Sequence, residues 1–307
     1  MALVPLIAAL FTLNFKLLTV FAQSPKNTIT VLPQLTQIDL AKDAPETKIY
    51  YTNNSSTPVE LSFSVEDVRE LEDRNPVGIL DPKEAANYKY SLSSWVYLDK
   101  QTLLLAPHET QNIIVNITKD KLTPGGHYGS ILAEIKQTSN DKKIRIKGVL
   151  ASLLFVRAST GNEIEEARIA YFGAANTGID FPDQFVFRFQ NTGNVDLTPY
   201  GLVEIKDNLS RTVAKGIVNE DSLITLPEAI RKYELNIKPL STIILPGRYK
   251  AVLSIHYGKS GKKLAISKEF ITQGSINLLN IGIGLLLSLF AFFFIVKLLR
   301  STINSKP

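Results

Sequence analysis

The 307-residue chain contains no cysteine. Disulfides, thiolate metal sites and a thiol nucleophile are excluded, and any folded part must hold together by its apolar cores. For an exported chain, that fits a bacterial surface better than a eukaryotic one. Histidine is nearly as scarce: His108, His127 and His256 are the three, expected in turns for the first two and at a strand end for the last. None has the H-E-x-x-H or paired spacing of a zinc site. No G-x-S-x-G elbow accompanies them. Gly258-Lys259-Ser260-Gly261-Lys262-Lys263 lacks phosphate-loop spacing and precedes a strand, so it reads as a lysine-rich hairpin tip. Asp and Glu are scattered without a glycosidase-like pair. The sequence therefore offers no catalytic residue, no cofactor-binding residue and no metal ligand, and the chain is expected not to be an enzyme.

Charge of one sign is also lacking where it would matter. The net charge is +5, but Lys16, Lys297, Arg300 and Lys306 carry four of these charges at the two ends. The near-neutral middle has no electrostatic footprint for nucleic acid.

What is present begins with apolar ends. Residues 1–22 read as a secretory signal peptide closing on Val20-Phe21-Ala22, with cleavage expected after Ala22. Lys16 interrupts that stretch, and an uncleaved N-terminal anchor is the rival reading. Residues 276–296 contain no charged residue, and about 21 residues of helix span roughly 31 Å, the thickness of a hydrocarbon core. A transmembrane helix is expected there. The basic residues after it form a tail, 297–307, that the positive-inside rule places in the cytoplasm. The expected location is a cell membrane, crossed once, with the N-terminus outside.

Between the ends the signals are for strands. Ile113 to Ile117, Phe185 to Phe189 and Val252 to Ile255 are short, β-branched or aromatic, and bounded by turn residues. Repeated strands without intervening helices predict an all-β fold of two tandem immunoglobulin-like β-sandwiches, over 25–158 and 162–272. A weak internal repeat supports two copies of one design. Tyr51-Thr52-Asn53-Asn54-Ser55 answers Phe189-Gln190-Asn191-Thr192-Gly193, and Pro124-Gly125-Gly126-His127-Tyr128 answers Pro246-Gly247-Arg248-Tyr249. Thr138 to Asp141 and Gly258 to Gly261 are the expected hairpin tips. Trp95, the lone tryptophan, is expected in the core. The charged excursion from Glu66 to Tyr90 is longer than an ordinary sandwich loop and reads either as a solvated insertion or as a contact surface.

The stretch Ser94-Trp95-Val96, Leu103-Leu104-Leu105-Ala106-Pro107-His108-Glu109-Thr110 and Pro124-Gly125-Gly126-His127-Tyr128 resembles the Ig-like domains of periplasmic pilus chaperones. The whole layout resembles the WxL-interacting surface proteins of bacteria. That resemblance implies a first domain associated with peptidoglycan and a second with protein partners, held to the bilayer by one helix. The expected function is a membrane-anchored binding or scaffolding protein recognising a cell-wall polymer or a surface protein. The alternative is a membrane-held chaperone or assembly factor for surface proteins. Strand addition at an exposed sheet edge is one mode of contact such a protein can use.

Overall fold

The computed structural model describes residues 29–71, 77–118, 123–136, 148–158, 161–176, 178–240, 244–274, 282 and 286–294. The expected signal peptide, the Thr138 to Asp141 hairpin tip and the basic tail lie outside these residues. Of the expected span 276–296, residues 282 and 286–294 are described, and they are helical. Among the described residues no helix is long and apolar enough to cross a membrane.

The fold is all-β, built of two Ig-like sandwiches. In the first, one sheet has the order β1 (Ile29–Leu32), β3 (Glu46–Asn53), β8 (Thr110–Ile117), β6 (Val96–Leu98). The other has the order β2 (Leu35–Asp39), β10 (Gly148–Ala158), β9 (Gly125–Lys136), β4 (Val59–Glu70), β5 (Val77–Ile79), with β7 (Thr102–Leu105) also paired to β4. The chain changes sheets between β1 and β2: β1 pairs antiparallel with β3, whereas β2 runs parallel to β10. In the second sandwich, β11 (Ala167–Ala174), β12 (Gln184–Asn191) and β15 (Ile230–Asn236) form one sheet. It faces a five-stranded sheet in the order β16 (Lys238–Pro239), β14 (Thr212–Val218), β13 (Tyr200–Lys206), β17 (Gly247–Tyr257), β18 (Lys262–Thr272).

Side-chain alternation builds each core. Ile113, Val115 and Ile117 of β8 turn inward against Ile49, Tyr51 and Leu61, while Phe185, Phe187 and Phe189 of β12 fill the second core. Phe187 stacks on Tyr233 with ring centroids 4.9 Å apart. Period-two burial in short strands is the pattern the sequence carries, so these segments fall where it places them.

The internal repeat has a structural counterpart in a buried amide. Asn53 Oδ1 accepts the Ser55 N–H at 3.0 Å, and its Nδ2 donates to Thr57 O at 2.8 Å and Ala106 O at 3.0 Å. Asn191 repeats this: Oδ1 accepts the Gly193 N–H at 2.9 Å, and Nδ2 donates to Val195 O at 2.7 Å and Thr225 O at 3.0 Å. Both side chains are fully buried. In each copy the amide ties the turn that leaves the sheet to a neighbouring turn through main-chain hydrogen bonds. A second shared element is the turn Ala106-Pro107-His108-Glu109, matched by Leu226-Pro227-Glu228-Ala229. Its third residue has φ of 61° at His108 and 65° at Glu228. Proline at the second position and positive φ at the third make a type II turn. His108 is thus a turn residue, as expected. His127 is not: it lies in β9 and is buried.

Candidate functional site

The sequence motif Pro124 to Tyr128 and the segment Leu226 to Arg231 meet where the sandwiches touch. The Gly126 N–H donates to Asn194 O of the second sandwich at 2.8 Å. At Gly125, φ is +120°, and an added Cβ would lie 2.9 Å from Asn194 O. Glycine is required here because any side chain would hold the two backbones apart. Beside this contact Val68, Tyr90, Tyr128 and Phe155 of the first sandwich close over Leu226 of the second. Tyr128 and Phe155 meet edge to face at 5.1 Å.

Two ion-pair groups flank that apolar patch. At the end of β4, Glu70 accepts the Leu226 N–H at 2.8 Å and pairs with the Arg231 guanidinium, both side chains being buried. Burial raises the Glu70 carboxyl above its ordinary value, opposed by Arg231 and the Leu226 N–H. On the other flank Arg157 donates to Asp196 O at 3.0 Å and Oδ1 at 3.3 Å, and lies 3.6 Å from Glu165. Glu165 in turn accepts the Lys259 N–H at 2.8 Å. Exposed pairs join Lys89 to Glu228 and Lys259 to Asp39. The excursion from Glu66 to Tyr90 therefore supplies Val68, Glu70, Lys89 and Tyr90 to the contact between sandwiches. A solvated insertion does not describe the buried Val68, Glu70 and Tyr90.

Besides a cleft of about 360 Å³ lined by Glu70, Arg231 and Tyr233 among others, two more open beside the junction. One, of about 470 Å³, is lined by Gln37, Lys42, Phe155, Arg157, Tyr200 and Lys259 among others. Of its cations, Arg157 and Lys259 are paired with carboxylates of the chain itself. The other, of about 400 Å³, is lined by Asp67, Tyr88, Ser91, Trp95, Thr123 and His127 among others. Trp95 is half-buried on a 3₁₀ turn, Ser93–Trp95, and lines this cleft rather than the core where it was expected. The turn is held by the buried Asp67 carboxylate, which accepts the Leu92 and Ser93 N–H groups at 2.7 Å and the Ser91 hydroxyl at 2.7 Å. Both nitrogens of His127 lie 2.8 Å from main-chain carbonyls, of Ser91 and Thr123. The polar groups of this cleft thus serve to fix its own walls. Among the described residues no group of three or more His, Asp or Glu side chains could hold a metal ion.

Among the described residues, one feature that presents unused bonding capacity is an edge of the first sandwich. β2 pairs with β10 over Leu153 to Arg157, so among the described residues Gly148 to Ser152 have β9 on one side and no strand on the other. Leu153 donates its N–H to Gln34 O on the β2 side at 2.8 Å. Main-chain groups of alternate residues point the same way along a strand, so those of Val149 and Ala151 point to the open side. Their side chains line up with Leu153 and its register partner Leu35 on the sheet's outer face, where Val149 and Leu35 are exposed. No proline, lysine or bulge blunts Gly148 to Ala151, the usual protections of an exposed edge. The apolar pattern of Val149 to Val156 marks the strand in the sequence. That one half of it lacks a neighbour does not, because this depends on where β2 starts.

No protein-family model matches the chain, and no curated protein matches it. Solved structures do. A chaperone–tip adhesin complex of CFA/I fimbriae biogenesis is 11% identical, covers 77% of this chain and 97% of its own, and has a TM-score of 0.42. The Pseudomonas aeruginosa CupB2 chaperone is 10% identical, with coverage of 78% and 98% and a TM-score of 0.37. The E. coli chaperone DraB is 11% identical, with coverage of 80% and 96% and a TM-score of 0.37. The likeness to pilus-chaperone domains drawn from the first half of the sequence recurs in these structures; they are chaperones, not WxL-interacting proteins.

Proposed function

We propose that this chain is a membrane-anchored, extracytoplasmic binding or scaffolding protein that takes up an extended segment of a surface-protein partner along the open edge of β10. The observation that carries this reading is that, among the described residues, one side of Gly148 to Ala151 is unpaired, next to an apolar row of exposed Val149, Ala151 and Leu35 and half-buried Leu153. An added strand gains main-chain hydrogen bonds from Val149 and Ala151 and covers that row, which is how strand addition combines affinity with side-chain selection. The uncharged segment 276–296, with exposed Leu and Phe all round its described helical turns, holds the sandwiches at the bilayer. The same edge favours a second reading, an assembly factor: the apolar row would shield an incomplete client until its release. Complexes that turn over within minutes belong to the second reading, and long-lived ones to the first.

Ala151→Pro separates the edge from the fold. Its N–H points to the open side, so proline there removes no bond to β9. Recovery of the partner from cross-linked native membranes is expected to fall roughly tenfold, since the lost donor and the blocked approach together weigh about 1.4 kcal/mol. Ala151→Thr, which keeps the N–H, is expected to retain recovery. Equal recovery with proline removes this edge from the account.

A further inference from the structure

The second sandwich carries its most exposed large apolar side chains at one pole. Ile179, Leu209, Leu240, Leu245 and Ile271 are 59–72% exposed, and the next among the described residues of this sandwich, Ile217, is 54%. They come from five places in the sequence: the β11–β12 connection, the β13–β14 hairpin, the two sides of the β16–β17 connection, and the end of β18. Pairing brings those places together. Thr272 is opposite Gly247, and the Thr272 hydroxyl and Gln273 N–H both donate to Ile179 O, at 2.9 and 2.8 Å. Lys206 is opposite both Lys250 and Thr212, and the Leu240 N–H donates to Val213 O at 2.8 Å. This is also the pole from which the chain leaves β18, through Gln273 and Gly274, toward the uncharged segment 276–296. The junction with the first sandwich occupies the other end.

The Leu209 turn is built rather than loose. Asp207 Oδ1 accepts the N–H groups of Leu209 and Arg211, each at 2.9 Å, and Oδ2 accepts Arg211 Nε at 2.8 Å. The leucine at its tip is therefore held outward in a fixed turn, so little ordering remains for a contact to impose. Singly scattered apolar residues on a surface need no explanation, but a ring of them about one chain exit does.

We propose that this pole is a lipid-contacting foot. Ile179, Leu209, Leu240, Leu245 and Ile271 enter the headgroup boundary around the point where the chain passes into the bilayer. The second sandwich then stands on the membrane in a fixed orientation, with the first sandwich and its β10 edge directed away. This rests on the anchor reading given above, and adds to it a contact that a flexible tether would not make. Apolar tips bind such a boundary in proportion to the area they bury.

The native chain has no cysteine, so single labels are unambiguous. Leu209→Cys and, independently, Leu245→Cys would carry bimane in the full chain reconstituted into phosphatidylcholine–phosphatidylglycerol vesicles containing lipids brominated near the headgroup. Asp221→Cys, in the turn after β14 at the opposite pole, is the reference. Quenching at least threefold stronger at both foot positions than at Asp221 is expected. Quenching equal to the reference, in chains that float with the vesicles and resist a carbonate wash, overturns the foot and leaves the anchor standing. A chain that does not float overturns both.

Discussion

Glu70→Ala is expected to destabilise the junction by about 3–5 kcal/mol, because it withdraws the carboxylate from an arginine that remains buried. Glu70 and Arg231 lie at the ends of strands from different sandwiches, and both side chains are all but inaccessible. The raised carboxyl shows that burial outweighs the attraction of Arg231. Replacing both partners, as in Glu70→Leu with Arg231→Met, is therefore expected to cost far less than Glu70→Ala alone. Chemical denaturation of the wild type, the two single variants and the double variant would give the coupling directly. The dependence on pH follows from the same shift. Folding raises the carboxyl above its ordinary value of 4.5, so the contribution of Glu70 is fully present below that value and is lost as pH rises through the folded value. The stability of the wild type relative to Glu70→Ala should accordingly grow as the pH is lowered.

Asn191→Ala is expected to cost about 3 kcal/mol in the second sandwich, and Asn53→Ala a similar amount in the first, on the order of 1 kcal/mol for each hydrogen bond lost. Asn191 serves Gly193, Val195 and Thr225, and Asn53 serves Ser55, Thr57 and Ala106. The two amides sit in separate sandwiches, so their costs should add in the double variant. Native-state hydrogen exchange resolves the location: Asn191→Ala should speed exchange in β12 and β15, and Asn53→Ala in β3 and β8. Loss confined to the turns themselves would show that the amides are not needed to hold the sheets.

These two sites differ in how visible they were. Asn53 and Asn191 stand at matching positions of the internal repeat, two residues beyond Tyr51 and Phe189, so their importance was legible as a repeated polar residue ending an apolar strand. The strands around Ile113 to Ile117 and Phe185 to Phe189 were legible for the same reason, since alternation is a local property. The junction was not: Glu70 and Arg231 are far apart in sequence, and nothing near either names the other. The excursion carrying Glu70 could be recognised as too long for a loop, but not assigned to the second sandwich. Trp95 was placed in the core on the apolar run around it. Asp67 overrides that run by capturing the N–H groups of Leu92 and Ser93, which bends it into a 3₁₀ turn beside a cleft. The glycines before His127 suggest a turn, yet they begin β9, where the close approach of Asn194 explains them.

Binding along β10 requires one local feature, that among the described residues half of β10 has a neighbour on a single side. Residue-resolved hydrogen exchange on the isolated full chain tests it without a partner in hand. The amides of Leu150 and Ser152, directed to β9, are expected to be protected, while those of Val149 and Ala151 exchange at rates near those of an open strand. Protection of all four amides would mean that the edge is already covered, and the account of how this chain binds would be contradicted.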